Sequence, residues 1–211
     1  QWAAMIQGDE AQAGGRSWFR FERAVRELTG YEHLVPAHRG RAAERALLGV
    51  TGRPGAVVPS NGHADTARAS VESAGLVALD LPCAAAADST SEAPFKGNLD
   101  LGARRRLLHE RGPAGVPLVL LSVTCEAGGG QPVSLANLRE VSAICRESGV
   151  PLFLDAARFA ENAHFIKLHE PGQGGRPTRE IAREMFQLAD GCTMSAAYDA
   201  LANVGGFIAT H

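Results

Sequence analysis

Asp155 closes the apolar run Leu152-Phe153-Leu154 that follows Val150-Pro151. A carboxylate at the end of a buried strand is expensive without a positive partner. A protonated pyridine nitrogen on a ligand would supply one and Arg158 another, so the pair reads either as part of a ligand site or as a structural ion pair. Gly40-Arg41 stands where a short extended run turns into a helical pattern, and backbone donors beside a guanidinium suit a phosphate or another anion. Ser195, after Cys192-Thr193-Met194, is a further short donor. The run Ala127-Gly128-Gly129-Gly130-Gln131-Pro132 is a tight glycine-rich approach but no nucleotide fingerprint, because neither GxGxxG nor GxxxxGK[ST] occurs. The histidines form no metal set: His164 and His169 lie five apart, and His33, His38 and His63 lack ligand spacing. No GxSxG elbow supports hydrolase chemistry.

These residues need a frame that gathers strand ends. The spacing predicts helices over 18–28, 42–48, 66–73, 98–110, 134–147 and 178–188, with Asp100 in the first turn of the fourth and Ser134 capping the fifth. Extended runs fall at 34–36, 56–59, 76–79, 117–123, 150–154, 192–194 and 206–209, while 84–94 and 170–177 read as loops. Seven strands separated mostly by helices predict a three-layer α/β fold with a mostly parallel sheet. In such sheets ligands bind at the carboxyl ends of the strands, where Asp155, Ser195 and the Gly40-Arg41 turn all fall.

At 211 residues the chain suits one large core, and 45% hydrophobic with 21% charged residues is ordinary for a globular protein. A net charge of -2 gives no nucleic-acid footprint, and Arg104-Arg105-Arg106 reads as the wet side of a helix. No apolar run approaches the roughly 18 to 20 residues that cross a bilayer. Cys83, Cys125, Cys145 and Cys192 show no CxxC pattern and read as reduced thiols of a cytoplasmic protein. The sequence opens directly at Gln1-Trp2-Ala3 and stops at Thr210-His211 straight after an apolar run, so a fragment, or a chain whose edges need partner segments, is expected.

Several segments together carry a specific resemblance: Gln1-Trp2-Ala3, Gly8-Asp9-Glu10-Ala11, Val35-Pro36-Ala37-His38-Arg39-Gly40-Arg41, Pro94-Phe95-Lys96-Gly97-Asn98, Gly129-Gly130-Gln131-Pro132-Val133-Ser134, Leu154-Asp155-Ala156-Ala157-Arg158-Phe159-Ala160-Glu161-Asn162 and Met194-Ser195-Ala196-Ala197-Tyr198-Asp199. In order, and over essentially all 211 residues, the chain resembles the tryptophanase and tyrosine phenol-lyase family of β-eliminating lyases. The resemblance implies an aspartate-aminotransferase-like large (cofactor) domain over 1–211, with an N-terminal arm and a small C-terminal domain not represented. It implies pyridoxal 5'-phosphate as cofactor, amino-acid carbon–carbon lysis, and a homo-oligomer, dimer or tetramer. Asp155 would face the pyridine nitrogen, Arg158 the ring oxygen or the substrate, and Gly40, Arg41 and Ser195 the phosphate. Glu10 and the carbonyl of Asn203 match the family's ligands for a potassium ion.

Departures fall on the residues that do chemistry. Tyr198 occupies the place of the Schiff-base lysine, and the whole chain holds only two lysines, Lys96 and Lys167. A phenol forms no imine with an aldehyde. Gln12 stands where the family has a catalytic tyrosine, Ala64 where an aromatic ring covers the cofactor, Glu126 where it has asparagine, and Arg39 where the phosphate turn has glutamine. Three readings follow: an inherited lyase with unusual residues, a catalytically silent relative (a pseudoenzyme) that keeps an anion pocket, or a repurposed enzyme or binding protein for an anionic small molecule or amino acid. The substitutions favour a chain that does not perform β-elimination alone.

Overall fold

The computed structural model describes residues 2–9, 14–202 and 204–211. In chain order the elements are α1 (Trp2–Ile6), α2 (Arg16–Thr29), β1 (His33–Ala37), α3 (Gly40–Thr51), β2 (Val57–Ser60), α4 (Asp65–Ser73), β3 (Val77–Asp80), α5 (Leu101–Arg111), β4 (Val119–Ser122), α6 (Leu135–Ser148), β5 (Leu152–Asp155), α7 (Phe159–His169), α8 (Thr178–Gln187), β6 (Gly191–Ser195) and β7 (Gly206–Thr210). The strands form a seven-stranded sheet in the order β1-β7-β6-β5-β4-β2-β3. All pairings are parallel except the two made by β7, which runs antiparallel to both β6 and β1.

Both faces of the sheet are buried, which is why its central strands are continuously apolar rather than alternating. Along β4 and its lead-in, Val119 and Leu121 pack into one core with Leu138, Ile166, Ile181 and Met185, while Leu118 and Leu120 pack into another with Leu47, Val58 and Val71. On β5 the same alternation sends Leu152 and Leu154 to the first core and Phe153 to the second. Helices α6, α7 and α8 therefore cover one face and α3 and α4 the other, as the three-layer expectation requires.

Local signals set most helix ends. Asp100 caps α5, accepting from Ala103 N at 3.0 Å, so it stands just outside the first turn in which the sequence placed it. Ser134 caps α6 by accepting from Asn137 N, and Gly149 closes that helix at φ 64. Between β2 and β4, where one register pair is formed, the buried Asn61 side chain substitutes for a ladder: it donates to Gly97 O and Ser122 O and accepts from Ser122 N.

Helix α7 has no counterpart among the sequence expectations. Its cap comes from far along the chain, where Asp199 Oδ2 accepts from Ala160 N at 2.6 Å and Glu161 N at 3.2 Å. The four cysteines are free thiols, as expected. Among the described residues no helix is long and apolar enough to cross a membrane.

One expectation needs correction. Arg104 is not on the wet side of α5; it is 0% exposed, while Arg105 and Arg106 face water. Three consecutive helical residues span about 200° of the helix circumference, so they cannot all share one face. Arg104 donates only to Cys145 Sγ at 3.6 Å, and its Nε and Nη1 find no partner. A buried guanidinium without a carboxylate destabilises, and replacement by an apolar side chain of similar length removes that penalty. Arg104→Leu is expected to raise the urea midpoint, by about 1–4 kcal/mol of stability; an unchanged or lowered midpoint would refute this account of the buried arginine.

Candidate functional site

The carboxyl ends of β1, β2, β4, β5 and β6 open on one cavity of about 940 Å³. Arg39, Gly40, Arg41 and Glu44 line it from the β1–α3 turn, and His63 and Ala64 from the loop after β2. Glu126 follows β4, Asp155 ends β5, Ser195 ends β6, and Tyr198 stands in the turn beyond. Of the sequence-nominated residues, Arg39, Gly40, Arg41, Ala64, Glu126, Asp155, Ser195 and Tyr198 thus share one cavity wall. Arg158 reaches the same place through its contacts with Glu126 and Tyr198. Glu10, Gln12 and Asn203 lie outside the described residues.

Backbone approach shapes the end of the cavity at β1 and β6. A Cβ added to Gly40 would fall 2.7 Å from Ser195 Cβ, and one added to Gly206 would lie 2.6 Å from the carbonyl carbon of Arg39. Only glycine lets the N-terminus of α3 meet the end of β6 this closely. Arg39 and Arg41 flank that junction, so it can offer an anion the backbone donors of the α3 N-terminus, the Ser195 hydroxyl of β6 and two guanidiniums.

Acidic groups gather on the other flank. Asp155 is half-buried and accepts a long 3.4 Å bond from Ala157 N and a weaker one from the Ser122 hydroxyl. Burial pushes its carboxyl up to about 6, opposed by that amide and reinforced by the charge of Glu126. Glu44, buried on α3, is pushed to about 7, first by burial and then by Asp155, against the hydrogen bond from Ser70. Arg158 Nε contacts Glu126 at 3.2 Å and its Nη1 contacts Glu161 at 3.4 Å. Its guanidinium carbon lies 4.5 Å from the centroid of the Tyr198 ring, a cation–π contact on a side chain that is 41% exposed.

Glu44 was not singled out by sequence reasoning, and neither were two further polar cavity residues, His63 and Thr193. His63 is 4% exposed; its Nδ1 sits 2.6 Å from Asp80 Oδ1, and Asp80 also pairs with Arg68. Burial lowers the His63 pKa despite Asp80. An ionised carboxylate only accepts, so Nδ1 carries the proton and Nε2 presents a lone pair, which finds no partner. Thr193 Oγ1, on a side chain 1% exposed, is likewise unpaired. No spacing signal marked either residue, because His63 lies in a loop and Thr193 inside a strand. Among the described residues no group of three or more His, Cys, Asp or Glu is arranged to hold a metal ion.

The family model for the β-eliminating lyases matches residues 1–211. A tryptophanase of Salinibacter ruber is 54% identical over 209 residues, 99% of this chain and 44% of that protein. A tyrosine phenol-lyase of Symbiobacterium thermophilum is 44% identical over 209 residues, 99% of this chain and 46% of that one. The chain therefore spans about half the length of the curated relatives it matches. Among solved structures, a threonine aldolase of Leishmania major superposes with a TM-score of 0.69 at 22% identity, covering 99% of this chain and 57% of that chain, which speaks to the fold alone.

Asp155 and Glu44 hold their protons more tightly when folded than the ordinary 3.8 and 4.5 of their types. The resulting stability is complete below about pH 4 and is lost as the pH rises through about 6 and 7. Asp155→Asn is expected to match the parent in urea unfolding at pH 4 and to exceed it at pH 8 by about 1–2 kcal/mol. Equal midpoints at both pH values would show that the carboxyl is not held protonated by the fold.

Proposed function

We propose, since the chain belongs to the β-eliminating lyase family, that its cavity binds a pyridoxal-type phosphate without covalent attachment and that this chain does not itself carry out β-elimination. The observation that carries the reading is the absence of an amine from the described cavity wall. Tyr198 lines it, whereas Lys96 Nζ donates to Asp88 O at 2.8 Å and Lys167 Nζ to Arg176 O at 2.9 Å, each outside it. A phenol has no amine with which to form the covalent imine link to an aldehyde.

The residues present suit the non-covalent part of the cofactor. Arg39, Gly40, Arg41 and Ser195 would hold the phosphate against the glycine-enforced junction. Asp155, pushed up to about 6 by burial, would accept from a protonated ring nitrogen, which in turn would restore its charge. When bound, such a ring supplies an electron sink. This chain's side chains would orient it: Asp155 at the nitrogen, and Arg158 at the ring oxygen or substrate side. Ala64 leaves the ring face without the aromatic cover that would narrow the slot. Gln12, at the place of the family's catalytic tyrosine, leaves a leaving group without its acid. Glu10 and Asn203 would supply a potassium site by resemblance, and a dimer or tetramer would cover exposed apolar residues such as Trp2, Ile6 and Val204.

A second reading, binding of another anionic small molecule, rests on the same cationic flank of Arg39 and Arg41. Competition against pyridoxal phosphate separates the two.

The test is reduction with borohydride in the presence of pyridoxal phosphate, followed by intact mass and peptide mapping. The unmodified chain should yield no cavity adduct, and Tyr198→Lys should yield one at position 198. Turnover of tyrosine or tryptophan by that variant should stay low, because Gln12 and Ala64 remain. Appreciable elimination by the unmodified chain would overturn the reading.

A further inference from the structure

Resting on the cofactor reading above, the acceptor-rich flank of the cavity points to which form of the cofactor it suits. Arg158 is shared by two carboxylates, Glu126 and Glu161, so that cluster retains an unmatched negative charge. Asp155 lies close enough to Glu126 to feel its charge. On the same side His63 Nε2 is a bare lone pair on a side chain 96% buried, and the Thr193 hydroxyl, donor and acceptor alike, has no partner. Buried acceptors of this kind require donors from whatever fills the space. An aldehyde brings none there, and a hydroxymethyl group brings one. An ammonium brings three, with a positive charge that a carboxylate matches. An amine form also needs no lysine to hold it.

We propose that the cavity selects pyridoxamine 5'-phosphate, the amine form of the cofactor, with Glu126 as the carboxylate that receives the ligand's ammonium group. The cationic flank of Arg39 and Arg41 takes the phosphate, so the site is matched to a ligand that is anionic at one end and cationic along its ring edge. Binding is non-covalent and no bond is made or broken.

The experiment is calorimetric titration of the full chain with pyridoxamine 5'-phosphate, with pyridoxine 5'-phosphate, which carries a neutral hydroxymethyl group in place of the aminomethyl, and with inorganic phosphate. The amine should bind about tenfold tighter than the alcohol. Glu126→Gln should remove that preference while leaving the affinity for pyridoxine 5'-phosphate within about twofold. Glu161→Gln takes a carboxylate from the same arginine but not from the cavity wall, and should weaken the preference less than Glu126→Gln does. Equal binding of amine and alcohol by the parent would overturn the selectivity and leave the cofactor site standing. Binding of neither ester would overturn both readings. A preference that survives Glu126→Gln would remove Glu126 from the role.

Discussion

Backbone against backbone at Gly40 and Gly206 is the constraint from which the cavity follows. The β1–α3 turn can reach the end of β6 only because no side chain separates Gly40 from Ser195 or Gly206 from Arg39. That approach depends in turn on β7, which runs antiparallel between β1 and β6 and delivers its first residue, Gly206, to the mouth of the site. The same inversion keeps β1 parallel to β6, so the ends of both strands face the same opening. A Cβ at either glycine would push α3 off the sheet and separate the two arginines from the serine hydroxyl.

Strand order then sorts charge across the cavity. The β1 and β6 ends carry Arg39, Arg41 and Ser195, whereas the β5, β4 and β2 ends carry Asp155, Glu126 and His63. Crossing the sheet therefore means crossing from an anion-seeking flank to a donor-seeking one. Glu44 is the exception, since α3 carries it inward beneath Arg41, and burial keeps much of it protonated near neutrality. Tyr198 and Arg158 form a lid-like stack on the acidic side, with the ring polarising nothing but offering its face to a cation already held by two carboxylates.

Much of this was legible in the sequence, and the reasons differ by element. The central strands announced themselves because strands buried on both faces are nearly continuously apolar, as 117–123 and 150–154 are. Asp155 stood out because a carboxylate ending such a run breaks its pattern. Helix α7 was hidden because its cap, Asp199, is some forty positions away and becomes local only after β5 and β6 pair. The unpaired His63 Nε2 was hidden for a similar reason: its tautomer is fixed by Asp80, which is brought beside it by the parallel β2–β3 pairing. Arg104 was misplaced because a run of three arginines has the look of a wet surface, although helical geometry turns one of them inward.

Three cavity residues, Ala64, Glu126 and Tyr198, share a structural property. Ala64 stands just before α4, Glu126 opens a short 3-10 turn, and Tyr198 sits in the turn after β6. None belongs to a strand ladder or to the interior of a helix, and none lies among the buried hydrophobic residues of either core. Asp199, by contrast, caps α7, and Asp155 and Ser195 end paired strands. Cavity side chains that also hold the fold are thus separable from those that only face the cavity. Changing the second group leaves the paired strands and the glycine junction intact.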